Sequence, residues 1–205
     1  MPSPSLSRRG ALRGLVAGVL VPALALPVLS PAARAQEKKY PEITFVNSPS
    51  IAIDVQQVEI TREYVSRGAK PNVEHLFPVT PNDAVTRWVG DRLVPVGRSR
   101  LVRVVVKDAS VVEVPLEKTG GIKGWFTTDQ AERYDATMEV VVEIRSDVGR
   151  DAYASARVKR SQTIEEGASP AKRREVWYAM TERLMADLDK ELERSMRQYL
   201  SPYLR

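Results

Sequence analysis

The chain of 205 residues has no cysteine, one histidine, His75, and an aromatic content of only 6%. Without thiols there are no disulfide staples, no cysteine nucleophile and no thiolate metal site. Nor is there a residue to carry the acyl anchor of a bacterial lipoprotein. A single imidazole excludes a histidine-rich metal site, and clustered acids at calcium-loop spacing are also missing. A Ser-His-Asp arrangement would rest on His75 alone, in a proline-flanked loop, and no Gly-x-Ser-x-Gly elbow supplies the serine. The stretch Gly120-Gly121-Ile122-Lys123-Gly124 lacks the Gly-Lys-Ser/Thr ending of a phosphate-binding loop. Asp129 with Glu132, and Glu165 with Glu166, read as a solvated turn and a helix-flanking cluster rather than as acid-base pairs. The chain is therefore not expected to be an enzyme, and no catalytic residue, metal ligand or cofactor site is assigned.

Acidic side chains are missing from the first 35 residues, which carry Arg8, Arg9, Arg13 and Arg34. Most of the formal net charge of +5 resides there, and the remainder sets 27 basic against 26 acidic residues. The basic character thus belongs to the leading segment, and a nucleic-acid partner is not expected. That segment has a charged opening, an apolar run from Gly14 to Ala33, and the small-x-small sequence Ala33-Arg34-Ala35 ahead of Gln36. It reads as a secretory signal peptide cleaved after Ala35. Pro22, Pro27 and Pro31 interrupt the run and argue against a retained membrane-spanning helix. Ser7-Arg8-Arg9-Gly10-Ala11-Leu12-Arg13 resembles the twin-arginine export motif, Ser-Arg-Arg-x-Phe-Leu-Lys, with Ser7, Arg8, Arg9 and Leu12 in place and Ala11 where Phe is usual. The resemblance implies export in the folded state from a bacterial cytoplasm. The expected product is soluble, periplasmic or secreted, with no transmembrane segment after processing.

Residues 36–49 read as an extended lead-in with one short strand at Ile43–Val46, and residues 50–205 as one domain. Ile51, Ile53 and Val55 alternate with polar positions, and the apolar phase resumes at Val58 and Ile60 on the other parity. A bulge near Gln56-Gln57 in a strand running to Tyr64 would restore the register. Thr80-Pro81-Asn82-Asp83 is a helix start, and Val85, Trp88, Val89 and Arg92-Leu93 follow at helical spacing. Leu101–Val106 and Ser110–Leu116 are strand-like, either a pair or one kinked strand. Thr119–Asp129 is a glycine-rich loop carrying Trp125 and Phe126, two large side chains that either plug a core or contact a partner.

From Tyr134 to Ile164 the pattern predicts a hairpin. Pairing Ile144 with Ala152 brings Ala136, Met138, Val140, Val142 and Ile144 to the same face as Ala152, Ala154, Ala156 and Val158. It also sets Glu139 opposite Arg157 and Arg145 opposite Asp151, with Asp147-Val148-Gly149 as the loop. Ser169 caps a final helix whose Trp177, Met180, Leu184, Leu188, Leu192, Met196 and Leu200 form one stripe. About thirty residues give roughly 45 Å of helix, enough to cover the alanine-lined face of the hairpin. The expected order is β-α-β-β-β-β-α, an α+β fold with an antiparallel sheet of about five strands and the long C-terminal helix packed on one face.

Lys172-Arg173-Arg174 lies in the first turn of that helix, where the macrodipole disfavours cations, and so suits an acidic partner or anionic headgroups. In pattern, a signal peptide ahead of a compact α+β domain with a long terminal helix resembles the small periplasmic auxiliary proteins of envelope transport and outer-membrane assembly. Those proteins are commonly lipid-anchored, and this chain has no cysteine for it. The resemblance implies a non-enzymatic adaptor that meets another envelope component through loop 119–129 and the C-terminal helix. The alternative is a helix-grip-like carrier holding a small apolar ligand between sheet and helix. A cavity above about 300 Å³ at that place would favour the carrier.

Overall fold

Two helices and six strands make up the computed structural model, which describes residues 39–116 and 130–205. The strands are β1 (Ile51–Ile53), β2 (Gln57–Arg62), β3 (Leu93–Pro95), β4 (Leu101–Pro115), β5 (Gln130–Ser146) and β6 (Gly149–Glu165). The helices are α1 (Pro81–Arg92) and α2 (Pro170–Tyr199). A four-stranded sheet in the order β2-β4-β5-β6 holds most of the residues, and β1 with β3 forms a separate two-stranded ribbon. The α+β class therefore holds, while the strand pairing is mixed rather than wholly antiparallel. β2 runs parallel to β4 and β1 parallel to β3. The physical reason is α1, which lies between the members of each pair and supplies the crossover that parallel neighbours need.

The strand expected from Ser50 to Tyr64 breaks in two instead of bulging. Val55, fully buried, turns its N–H back to Ile53 O at 2.8 Å, and Gln56 N donates to Ser99 O at 3.1 Å. Gly97 closes against this kink by donating to Val55 O at 2.9 Å. A Cβ there would lie 2.5 Å from the Asp54 side chain and 2.6 Å from the Val55 amide nitrogen, so the approach requires glycine. β4 is one strand, with a register shift between Val106 and Asp108 where the sequence left a pair of strands open. β2 pairs only with the first half of β4. Beyond it Asn72 bridges Val112, and the Glu74 carboxylate anchors this edge. It accepts from Tyr64 OH at 2.7 Å, from Ser66 Oγ and from Val111 N at 3.1 Å. Burial alone would raise the Glu74 carboxyl, yet these hydrogen bonds bring it below its ordinary value.

In the hairpin, Ile144 pairs with Ala152 and Glu139 with Arg157, as the alternation requires. The turn differs. Ser146 pairs with Gly149, which takes φ 138°, and only Asp147-Val148 form the loop. Arg145 therefore faces Arg150, and Asp151 becomes the extra residue of a bulge, bonded to Ser146 Oγ at 2.6 Å and to Arg100 Nε at 3.2 Å. The apolar run fixes the register up to Ile144, and the tighter turn places the slip just beyond it.

Both helices begin as the capping signals indicate, with Thr80 Oγ1 accepting from Asp83 N and Ser169 Oγ from Lys172 N. α2 lies over Ala154, Ala156 and Val158, and every residue of its predicted stripe is buried. α1 ends directly in β3 at Leu93. Residues 39–49 contain no strand, so the one expected at Ile43–Val46 does not form. They run as coil against the helices, with Ile43 buried, Phe45 N donating to Asp91 Oδ2 at 2.8 Å and Tyr40 against Tyr178 at 5.1 Å between ring centroids. Among the described residues no helix is long and apolar enough to cross a membrane.

Candidate interaction site

Met138, Val140 and Val142 of β5 and Leu184, Leu188 and Leu192 of α2 have no accessible surface at all. Side chains with none face no water-sized void, so the middle turns of α2 leave no space above the sheet. A hollow of about 360 Å³ between β6 and the last turns of α2 is lined mainly by polar groups, among them Arg157, Glu191, Arg194 and Gln198, which do not suit an apolar ligand. The sizeable hollows lie on the surface. One of about 410 Å³ runs between the coil of residues 39–49 and α1, lined in part by Glu42, Asp83, Arg87 and Asp91. There Arg87 is paired with Glu42 at 3.5 Å and with Asp91 at 3.3 Å, so its cation is matched within the molecule.

A larger hollow, about 610 Å³, opens at the start of α2. One wall is the chain that leads into α1, with Leu76, Phe77 and Pro78; the other is the entry and first two turns of α2. Ala168, Pro170 and Trp177 continue the apolar lining, and Arg173 and Arg174 complete it, with no carboxylate among the described lining residues. Phe77 stacks on Trp177 at 5.0 Å with planes 10° apart, and Tyr134 meets Trp177 edge-on at 5.6 Å. This aromatic cluster forms because Phe77 is delivered by the 3-10 turn Glu74–Leu76 and Trp177 by the stripe of α2. Leu76, in contrast, is half exposed.

Behind the groove Arg173 Nη1 donates to Glu132 and to Tyr134 OH, and Tyr134 OH donates to Glu132. Burial alone would raise the Glu132 carboxyl, but the hydrogen bonds from Tyr134 and Arg173 and the Arg173 charge hold it below its ordinary value. Burial and the bond to Glu132 push the Tyr134 phenol up. The trio is thus a fixed ionic support under the groove rather than a proton-transfer group.

Neither a family model nor a curated protein matches the chain. The solved structures that resemble it loosely include two from bacteria. The rare lipoprotein B of Shewanella oneidensis is 12% identical, with 68% of this chain and 92% of that one covered and a TM-score of 0.36. A Xanthomonas campestris protein from a domain family of unknown function is 10% identical, with 72% and 86% covered and a TM-score of 0.31.

Of the residues singled out by sequence, Arg173 and Arg174 line the groove, and Lys172 is exposed beside them. Arg174 lies over the Tyr40 ring at 5.7 Å. Trp125 and Phe126 lie outside the described residues, as do Ser7, Arg8, Arg9, Leu12, Ala33, Ala35 and Gln36. The described ends of the segment that holds Trp125 and Phe126 are joined by a bond from Leu116 N to Ala131 O at 3.0 Å. Glu132, bonded to Arg173, is the next residue, which brings the ends of that segment beside the groove. His75 is exposed, Glu132 is committed to Arg173 and Tyr134, and Glu165 and Glu166 are exposed. Sequence reasoning missed the groove wall at Leu76-Phe77-Pro78, because only the fold carries that loop to Trp177. The helical spacing did place Arg92 with Trp88 on the apolar face of α1, but not its two carboxylate partners on α2, Asp189 and Glu193.

Proposed function

We propose that the chain is an exported, non-enzymatic accessory protein of the bacterial envelope. In this reading residues 1–35 are removed on export, leaving a soluble periplasmic domain that binds another envelope protein through loop 119–129 and the start of α2. The observation that carries it is the groove at the start of α2, which is apolar, rimmed by Arg173 and Arg174, and adjacent to the bonded pair Leu116 and Ala131. The described residues on either side of 119–129, Leu116 and Ala131, are joined beside Glu132, which bonds Arg173, and this supports reading both regions as contacts for one partner. The filled interior supports an adaptor over a carrier, since Leu184 and Val142 leave no water-sized space beside them.

Affinity capture from envelope extract tests the binding half of this reading. The intact protein should retain a defined partner that a Trp125→Ala variant retains poorly, and equal retention by both would count against loop 119–129. N-terminal sequencing of periplasmic material tests the export half, with Gln36 as the expected first residue. Replacing Arg8 and Arg9 with lysine should abolish export by the twin-arginine route; unchanged secretion would assign the chain to the general pathway instead.

A further inference from the structure

The four-stranded sheet ends at β6, a strand of 17 residues with a hydrogen-bonded neighbour on one side only. Backbone groups of an antiparallel strand point alternately toward its neighbour and away from it. Ser155 N donates to Ser195 Oγ of α2 at 3.2 Å, which fixes the phase: the even positions bond to β5, and Arg157, Lys159, Ser161 and Thr163 turn their N–H groups outward with Ser155. The chain covers the first part of this edge itself. Asp151 is tied into its bulge by Ser146 and Arg100, and Ser195 closes the edge at Ser155. From Arg157 to Thr163 no acceptor among the described residues meets the outward N–H groups, and Arg157, Lys159 and Ser161 are exposed. A bare strand edge is a template for another strand. β2, at the other end of the sheet, offers only 6 residues.

We infer that this edge pairs with its own copy, β6 against β6 in antiparallel fashion about a two-fold axis at Ser161, joining the sheets of two protomers into one. The charges select that register. With the axis at Ser161, Arg157 stands opposite the partner's Glu165, Lys159 opposite the partner's Thr163 and Arg160 opposite the partner's Gln162, so no like charges meet. Glu165 and Lys159 are both exposed and without an ion pair among the described residues, and across the two copies they lie on a diagonal. Arg157 already meets Glu139 at 3.2 Å within its own sheet; the partner's Glu165 comes to its other side, and a guanidinium has five N–H groups to share. An axis at Lys159 or at Arg160 would set that cation against its own copy. One nearer the start of β6 would drive the partner strand into Ser195, and one at Gln162 would shorten the ladder. With the axis at Ser161 the partner strand ends level with Arg157 and leaves the bond from Ser155 to Ser195 undisturbed. The turn that follows it comes level with Ser155 and Ala156, at the polar hollow lined by Arg157, Arg194 and Gln198. The pairing requires neither export nor a second protein, so it stands or falls apart from the adaptor reading.

Light scattering on the size-separated intact protein should give twice the mass of one chain, declining toward one on dilution. Because the chain has no cysteine, an engineered thiol reports on a single position. Ser161→Cys, oxidised with copper phenanthroline, should form a disulfide-linked dimer, since residues facing each other in a hydrogen-bonded pair lie about 5.5 Å apart at Cα, within disulfide reach. Gln57→Cys, exposed on the β2 edge, should stay unlinked under the same conditions. Lys159→Pro removes an N–H that points away from β5, so the hairpin keeps its ladder, checked by circular dichroism, while the dimer should be lost. Glu165→Arg sets two cations against each other at both ends of the ladder and should weaken association about tenfold. Should Lys159→Pro fail to fold, Glu165→Arg and the two thiol variants still decide. A monomer at every concentration, an oligomer larger than two, no more linkage from Ser161→Cys than from Gln57→Cys, a thiol link to a different polypeptide, or a dimer indifferent to Glu165→Arg and to a folded Lys159→Pro would overturn the inference.

Discussion

The two ends of α2 solve different physical problems with similar residues. Toward its C-terminus the helix is locked to α1 by Arg92, only 1% accessible, which donates through Nε to Asp189 at 2.7 Å and through Nη2 to Glu193. Trp88 shares the same Asp189 oxygen, so one carboxylate holds two donors from α1. Leu184, Leu188, Leu192 and Met196 meanwhile fill the space above the hairpin. At the N-terminus Trp177 stacks on Phe77 while its N–H has no acceptor among the described residues, and the turn before it is a basic rim around an open groove. Because its later turns already hold the helix to the fold, its first turns are left to present a surface.

The comparison breaks most readily at the buried turns. Leu188→Ala should cost about 2–5 kcal/mol, read from the denaturant midpoint, whereas Leu76→Ala at the groove should stay within about 0.5 kcal/mol. A loss of similar size at both positions would mean that the groove wall is part of the core. Asp189→Ala should cost about 3 kcal/mol, because Arg92 keeps only Glu193 and the Trp88 N–H is left bare. Asp189→Asn, which still offers an acceptor, should cost visibly less in the same denaturation series.

Acid should weaken both ends. Glu193 is held below its ordinary value by the hydrogen bond from Arg197, against the opposing effect of burial, and by Arg92; Glu132 is lowered at the groove end. A carboxyl whose folded value is depressed contributes stability that is complete above the unfolded value of 4.5 and is lost as pH falls through the folded value. Unfolding midpoints measured downward from pH 6 should therefore decline below about pH 4.5, and Glu193→Gln or Glu132→Gln should each flatten part of that decline. The smallest effect is expected on the opposite face of the sheet. There Arg157 pairs with Glu139 at 3.2 Å while more than half exposed, so Arg157→Ala should change stability by only a few tenths of a kcal/mol.

Much of the fold was legible in the chain where the determining contacts are close in sequence. Thr80 and Ser169 announce their helices because a cap acts within three residues. Ile144 against Ala152 follows from the apolar alternation of the two strands. The pairing of β2 with β4 was not legible, since some 40 residues separate Gln57 from its partner Leu101 and the period of two is the same in parallel and antiparallel neighbours. The slip at Asp151 escaped for a different reason: a bulge changes one residue's partner and leaves the apolar pattern up to Ile144 unaltered.

For the site, the sequence singled out Arg173 and Arg174 as cations in an unfavourable helical position, and the groove is where they lie. What supports them came from elsewhere in the chain. Glu132 and Tyr134 arrive on β5, Phe77 on the loop before α1, and none of them stands at a spacing that relates it to Trp177. By itself the sequence determined the helix stripe, the caps, the hairpin face and the basic first turn, all of them products of local periodicity. Only the tertiary structure decided that Arg92 would be shared between two carboxylates and that Trp177 would stack on Phe77 beside an open groove. Partnerships of that kind depend on which surfaces meet in space, and no pattern of neighbours along the chain encodes them.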